Sequence, residues 1–224
     1  MLGDTLAAEA AIQMEEGAQS INLLEMAVKG GWIMLVLLLL SIVCFYIFFN
    51  RISVFRKVRI SDPHFLDRIL DYMKNGDQKS ARIVCQSTDS PLSRIVEKGI
   101  GLAGHSRADI QAGMENAANI EIANLEKGLS GVSTIASAAP MIGFLGTVIG
   151  MVRAFWEMAG AGNNIDVSLL SGGIYEAMIT TVGGLIVGII ALFAYNYLVS
   201  KVDAIANQME SMIQDYSVNL ELPE

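Results

Sequence analysis

The sequence contains little charge. Only 17% of its 224 residues are charged, whereas 53% are hydrophobic, and the mean hydropathy is +0.47. Soluble domains carry about 25% charged residues, so this composition favours a membrane protein. Basic residues are scarcer than acidic ones, and the resulting net charge of −8 argues against a nucleic acid partner.

Cysteine, histidine and catalytic motifs are equally sparse. The two cysteines, Cys44 and Cys85, fall in a hydrophobic run and in a charged region, so we predict no disulfide. The two histidines, His64 and His105, lie far apart, and we expect solvated loop residues rather than metal ligands. The chain has no phosphate-binding glycine loop, and its hydrophobic runs contain no Ser/His/Asp set. We therefore predict neither an enzyme nor a bound cofactor.

Three long runs without charge stand out instead. Residues 30–50 form a run of 21, residues 128–152 one of 25, and residues 167–200 one of 34 that only Glu176 interrupts. A membrane-spanning helix needs about 20 apolar residues, so each run is long enough. The first run is too long for a cleaved signal peptide and follows an acidic segment. The sequence therefore predicts an all-α membrane protein with three transmembrane helices.

The distribution of basic residues predicts the orientation. Twelve of the 15 Lys and Arg residues lie between Arg51 and Lys127, which the positive-inside rule places in the cytoplasm. Residues 5–28 fit either an amphipathic helix on the outer face of the membrane or a disordered tail. The predicted order is a periplasmic N-terminal segment (1–29), transmembrane helix 1 (30–50), a cytoplasmic helical region (51–127), transmembrane helix 2 (128–156), a periplasmic loop (157–166), transmembrane helix 3 (167–200) and a cytoplasmic C-terminal helix and tail (201–224).

Local signals divide the cytoplasmic region into helices. The Asp-Pro pair at 62–63 and the Ser-Pro pair at 90–91 are typical helix starts. Gly76 and Gly104 are typical stops.

A longer helix is predicted where such signals are missing. Between Arg107 and Phe155 only Pro140 breaks the pattern, so we predict one helix that runs into the membrane, with a kink or a freed carbonyl at Pro140. After the third run, apolar residues recur every three or four positions, which predicts a helix that continues inward with one apolar face. Its residues are Val199, Val202, Ala206, Met209, Ile213 and Tyr216.

Glu176 is the one ionisable carboxylate inside the third run. A charged carboxylate at the bilayer centre costs about 3 kcal/mol on insertion scales, so such a residue normally faces a bundle interior or water. Removal from water favours the neutral form, which lets the group bind and release protons near physiological pH. The run is longer than a bilayer requires, however, and a position of Glu176 at the outer boundary, where it reaches water, remains open.

Small and hydroxyl side chains accompany this carboxylate. At 100° per residue, Thr180 lies on the same helix face as Glu176. Glycines on the second and third spans permit close backbone approach in lipid. They are Gly143, Gly146, Gly150, Gly183, Gly184 and Gly188. In an alternative interpretation the threonines only bond carbonyls of the preceding turn. Arg153 and Glu157 are predicted to form an interfacial i,i+4 pair outside any pathway.

Two segments resemble a known family. STIASAAPMIGFLGTVIGMVRAF (133–155) and GGIYEAMITTVGGLIVGIIALFAYN (172–196) are similar to the MotA/TolQ/ExbB proton channel family, most closely to ExbB. The resemblance covers the whole plan of one span, a large cytoplasmic region and two further spans joined by a short loop. The sequence departs from the family pattern at Tyr175 and Arg153, and neither change removes a polar group.

The resemblance implies site residues. The family's membrane glutamate corresponds to Glu176, and its two threonines correspond to Thr147 and Thr181. Its asparagine near the inner end of the third span corresponds to Asn196. Thr181 lies about 140° from Glu176 around the helix, so Thr180 is kept as a supporting candidate for the proton pathway.

The resemblance also implies a function and partners. It implies a homo-oligomeric ring, a pentamer, in the bacterial inner membrane, which encloses single-span helices of an ExbD-like partner and uses proton flow to drive a TonB-like protein. One acid per subunit favours protons over sodium. Two alternatives stay open: a TolQ-type role in envelope maintenance, and a structural membrane scaffold without ion flux.

Overall fold

The computed structural model describes residues 30–58, 64–88, 90–160 and 167–219. Helices account for almost all of this part of the chain, and the predicted all-α class is confirmed. The helices are α1 (Gly31–Val58), α2 (Phe65–Lys74), α3 (Gln78–Ser87), α4 (Pro91–Gly101), α5 (Arg107–Glu126), α6 (Leu129–Gly160) and α7 (Val167–Asn219). The predicted N-terminal segment, the helix start at 62–63, residues 161–166 of the predicted loop and the last five residues lie outside the described ranges.

Three of these helices are long and apolar enough to cross a membrane. They contain Gly31–Arg56 of α1, Leu129–Gly160 of α6 and Leu170–Val218 of α7, so the prediction of three spanning helices is confirmed. Only 17%, 22% and 33% of the residues in their most apolar stretches are buried. Lipid or other protein therefore has to cover most of their apolar surface.

The short helices begin and end where local chemistry dictates. Ser90 caps α4 through a capping box with Ser93, and Pro91 occupies the first helical turn, as predicted. Asp77 and Ser106 cap α3 and α5 by accepting hydrogen bonds from backbone N–H groups. Gly76 and Gly104 have positive φ angles in the turns that follow α2 and α4, which confirms both as stop signals.

The predicted continuous helix from Arg107 to Phe155 is wrong. Helix α5 ends at Glu126 and α6 begins at Leu129, because Gly128 has φ +86°, a left-handed conformation that ends a helix. The Arg51 guanidinium on α1 donates to the Asn124 carbonyl at 3.3 Å and satisfies one of the last carbonyls of α5. Helix α6 does continue through Pro140, where a kink remains a prediction.

The chain forms two compact units. The first contains Ala139–Ile186 and the chain up to Leu39, and the second contains Leu40–Ala138 and the chain from Val187. In the second unit, the apolar face predicted on α7 is confirmed. Val202, Met209, Ile213 and Tyr216 are buried there, while Val199 and Ala206 are half-buried.

The cysteines also belong to this second unit. Cys44 and Cys85 are both buried and free. Burial raises the pKa of the Cys85 thiol to about 12, and the charge of Glu97 adds to this effect. A thiol with such a pKa is a structural rather than a reactive group.

Candidate functional site

The first unit is organised by a glycine seam, which we define as the contact of Gly143, Gly146 and Gly150 on α6 with α7. A Cβ atom added to Gly143 would lie 2.7 Å from the Thr180 carbonyl oxygen, and one added to Gly150 would lie 2.8 Å from the Ala177 Cβ. Any larger side chain would force the backbones apart, so glycine is what allows this close approach.

The predicted packing glycines of α7 have different neighbours. Gly184 belongs to the seam, because a Cβ on it would lie 2.6 Å from the Ala139 carbonyl oxygen of α6. Gly183 instead packs against Met34 and Leu37 of α1. Gly188 is buried in the second unit.

Three threonine hydroxyls meet at the seam, and we call them the hydroxyl cluster: Thr147, Thr180 and Thr181. The Thr181 hydroxyl donates to the Gly143 carbonyl at 3.1 Å and contacts the Thr147 hydroxyl. The Thr147 hydroxyl also lies 3.2 Å from the Ala177 carbonyl oxygen across the seam. Because each hydroxyl has one proton, the cluster has alternative donor arrangements around two carbonyls.

The hydroxyl cluster partly fits the alternative interpretation, in which the threonines only bond carbonyls of the preceding helical turn. Thr180 is 2% exposed and donates to the Ala177 carbonyl of its own preceding turn at 2.7 Å. Thr180 also reaches across the seam to the Gly143 carbonyl at 3.3 Å, and Thr181 donates to the same carbonyl. Thr147 bonds both along its own helix and across to the Ala177 carbonyl. Bonding to the preceding turn is therefore an incomplete description of the set.

Glu176 lines a cavity of about 270 Å³ in the same unit. Its side chain is half-buried, and a Cβ added to Gly31 at the start of α1 would lie 3.2 Å from its Oε1 atom. Among the hydrogen bonds and ion pairs of the described residues, none involves Glu176. The lining of the cavity is mostly apolar but includes polar side chains, and the cavity is large enough for several water molecules, which could solvate the carboxylate.

The structure separates the two threonine candidates. Thr180 lines the Glu176 cavity, as its position on the helix predicts, whereas Thr181 is paired with Thr147 outside the cavity lining. Both groups nevertheless share the carbonyls of Gly143 and Ala177. The hydroxyl cluster is thus continuous from Thr180 at the cavity to Thr147.

The remaining candidates lie elsewhere. Asn196 is exposed on α7 in the second unit. His64 and His105 are both exposed in turns, as predicted, with ring nitrogens near the Asp67 carboxylate and the Leu102 carbonyl. Within the described residues, no group of three metal-ligating side chains is present.

Comparison with known proteins assigns the chain to a family. The sequence model of the MotA/TolQ/ExbB proton channel family matches residues 87–211, which is more than half of the chain and includes all of α6 and most of α7. The chain belongs to the MotA/TolQ/ExbB proton channel family. The predicted family is therefore confirmed.

Individual relatives point to the same branch. A putative biopolymer transport protein ExbB homolog of Methanothermobacter thermautotrophicus is 30% identical over 190 residues, covering 84% of this chain and 67% of the relative. A putative ExbB-like protein 1 of Synechocystis sp. is 32% identical over 184 residues, covering 81% and 72%. The Tol-Pal system protein TolQ of Haemophilus influenzae is 37% identical over 107 residues, covering 48% and 46%. Among these relatives, the ExbB proteins match the larger share of the chain.

Family membership and the three apolar helices together identify a multi-pass protein of the bacterial inner membrane. A MotA/TolQ/ExbB protein of this kind is a channel subunit of an energising complex that contains partner proteins.

Two charged residues of this family member were not expected at the cavity. The Arg153 Nε atom donates to the Glu157 carboxylate at 2.9 Å, so the predicted i,i+4 pair is confirmed. Both side chains also line the cavity that contains Glu176. The pair's spacing was visible in the sequence, but its place at the cavity depends on how α6 and α7 align.

Proposed function

We propose that this chain is a proton-conducting stator subunit that uses the proton-motive force, with an ExbD-like partner, to energise a TonB-like protein for active transport across the outer membrane. The observation that carries the proposal is Glu176, a half-buried carboxylate without a hydrogen-bonding partner in the described chain. Glu176 lines a cavity between the apolar helices of the first unit, and the chain belongs to a family of proton channels.

The chemistry of the first unit suits proton transfer. A carboxylate that lines a cavity with room for water can take up a proton from one side and release it to the other, provided that its surroundings change between the two events. The hydroxyl cluster supplies groups that both donate and accept hydrogen bonds. We propose that Glu176 is the proton carrier, that Thr147 and Thr181 extend the pathway, and that Thr180 supports it.

The exposed surface of the spanning helices supports the proposed assembly. Most of the apolar surface of the spanning helices is exposed in the single chain, which supports burial against other subunits in a ring, a pentamer, around the ExbD-like helices. The N-terminus would be periplasmic and the C-terminus cytoplasmic. Each proton that crosses 100 mV releases about 2.3 kcal/mol, so a few protons suffice to break and remake several interfacial contacts.

A TolQ-type role in envelope maintenance is the second candidate. The local identity to the Haemophilus influenzae TolQ protein supports it, but that match covers only 48% of the chain. The ExbB relatives cover up to 84%, and we therefore favour the ExbB role.

One experiment tests both the conductance and the partner. The native complex would be purified through a tag on this chain, its partners identified by mass spectrometry, and the decay of a pH gradient measured in vesicles that contain the complex. We expect a single-span ExbD-like protein and faster decay than in empty vesicles. A complex that contains Tol-Pal proteins would favour the second candidate, and decay equal to that of empty vesicles would contradict proton conduction.

The hydroxyl cluster gives a smaller, separate prediction. Replacement of Thr181 by Ala removes the donor to the Gly143 carbonyl and the partner of Thr147, and the loss of one such hydrogen bond predicts an about 2- to 10-fold lower proton flux. Thr147→Ala is expected to behave similarly, and Thr181→Ser, which keeps the hydroxyl, is the matched control. Equal flux in Thr181→Ala and wild-type complexes would remove Thr181 from the pathway.

A further inference from the structure

Among the described residues, the lining of the Glu176 cavity includes a second carboxylate and one cation. Arg153 and Glu157, both on α6, line it together with Glu176 of α7. Helix α1 and the residue before it contribute Gly30, Gly31, Trp32 and Ile33, none of which carries a charge. On α7, the neighbouring Tyr175 is titratable, but it is exposed and does not line the cavity.

The register of α6 on α7 places these charges at one level. A Cβ added to Gly150 would lie 2.8 Å from the Ala177 Cβ, and one added to Gly173 would lie 2.6 Å from the Ala154 Cβ. The α6 turn that ends at Ala154 therefore packs against the α7 turn that ends at Ala177. Arg153 and Glu176 are the residues next to Ala154 and Ala177 in these two turns.

Within the described part of the chain, Arg153 has two carboxylates beside it in this cavity, and it binds Glu157. Its Nε atom is 2.9 Å from the Glu157 Oε1 atom, while Glu176 has no ion pair among the described residues. A guanidinium is always charged and carries five N–H donors, so a second carboxylate in the same cavity is a strong competing acceptor. The Arg153 side chain is 71% exposed, which leaves it room to change partner.

We propose that Glu157 is a positioning residue that holds the Arg153 guanidinium away from Glu176. The proposal rests on the proposed function, in which Glu176 has to alternate between protonated and ionised forms. A guanidinium paired with Glu176 would hold it in the ionised form, because a proton would have to displace a charge-assisted, two-point hydrogen bond. The Arg153–Glu157 pair thereby keeps the proton carrier available for protonation.

The test is a double-mutant cycle on proton flux in vesicles that contain the full complex. Glu157→Gln removes the charge that retains Arg153, so flux is expected to fall by about tenfold, as expected for about 1.4 kcal/mol of added stabilisation of the ionised Glu176. Adding Arg153→Gln to this variant removes the competing cation, and flux is expected to recover to within about twofold of the wild type. Glu157→Asp, which keeps the carboxylate, is expected to retain more flux than Glu157→Gln.

The change in proton flux when Arg153→Gln is added to Glu157→Gln distinguishes this role from a structural one. If the ion pair only stabilised α6, the double variant would be as impaired as Glu157→Gln, and that outcome would overturn the proposal. Wild-type flux in Glu157→Gln would overturn it as well. Infrared difference spectra give an independent readout, since the C=O band of protonated Glu176 should weaken in Glu157→Gln and return in the double variant.

The proposal and the proposed function fail differently. A Glu176→Gln complex that still conducts protons would show that the carrier itself is wrongly assigned. A Glu176→Gln complex that does not conduct, together with a fully active Glu157→Gln complex, would contradict the positioning role alone.

Discussion

Replacement of Glu176 by glutamine is expected to reduce proton flux through the complex by about 100-fold or more, to the background of empty vesicles. Glutamine has nearly the same shape but cannot exchange a proton, and loss of a proton-transferring side chain typically costs a factor of 10² to 10⁴. Assembly should be unaffected, because Glu176 makes no hydrogen bond or ion pair to the described residues that the amide would break. The measurements are pH-gradient decay and size-exclusion chromatography of the complex.

The chain offers a matched control for this change. Glu210 is an exposed carboxylate on the same helix α7, in the second unit, and Glu210→Gln is expected to leave the flux unchanged. Glu176→Asp keeps an exchangeable proton and should retain part of the flux. If Glu176→Gln conducted protons normally, the proton-carrier role would be excluded, and if it failed to assemble, the scaffold alternative would be favoured.

Replacement of Gly184 by alanine is expected to lower the free energy of unfolding by about 3 kcal/mol. The added Cβ would lie 2.6 Å from the Ala139 carbonyl oxygen and 2.8 Å from the Gly143 Cα, and both of these are backbone atoms that cannot move without separating the helices. Overpacking of a well-packed contact costs about 1–3 kcal/mol, and a rigid backbone neighbour places this site at the upper end. Unfolding of the purified protein in detergent, followed by circular dichroism, measures the loss.

Gly172 provides the control on the same helix. A Cβ there would meet nothing within 4 Å, so Gly172→Ala should raise the free energy of unfolding by about 0.5–1 kcal/mol through helix propensity alone. The contrast in sign between the two Gly→Ala variants is the critical observation. Equal stability of the two variants would mean that the α6–α7 contact at Gly184 is not close-packed in the folded protein.

Helix boundaries were predictable wherever the signal was local. The Ser-Pro pair at 90–91 starts α4 because the Ser90 side chain and the ring of Pro91 act on their own turn. Gly128 was missed because a glycine inside a helix costs only about 1 kcal/mol, so its neighbours in sequence do not reveal whether a helix continues. Contacts with Ile47 and Arg51 of α1, distant in sequence, accompany the break.

The candidate site also has features that the sequence predicts and features that it does not. Angular position around α7 placed Thr180 on the same helix face as Glu176, because that relation lies within one helix, and both residues line the cavity. The pairing of Thr181 with Thr147 requires the register of α6 against α7, which no single-helix pattern contains. The close glycine contacts determine that register, and with it the presence of Arg153 and Glu157 beside Glu176.

The sequence alone determined the all-α class, the three apolar spans, the family and Glu176 as the one carboxylate in the third apolar run, since each depends on composition or on short-range spacing. Only the tertiary structure decided which side chains share a cavity, because that depends on how one helix is aligned along another. Close packing sets this alignment over distances in sequence where local preferences carry no information.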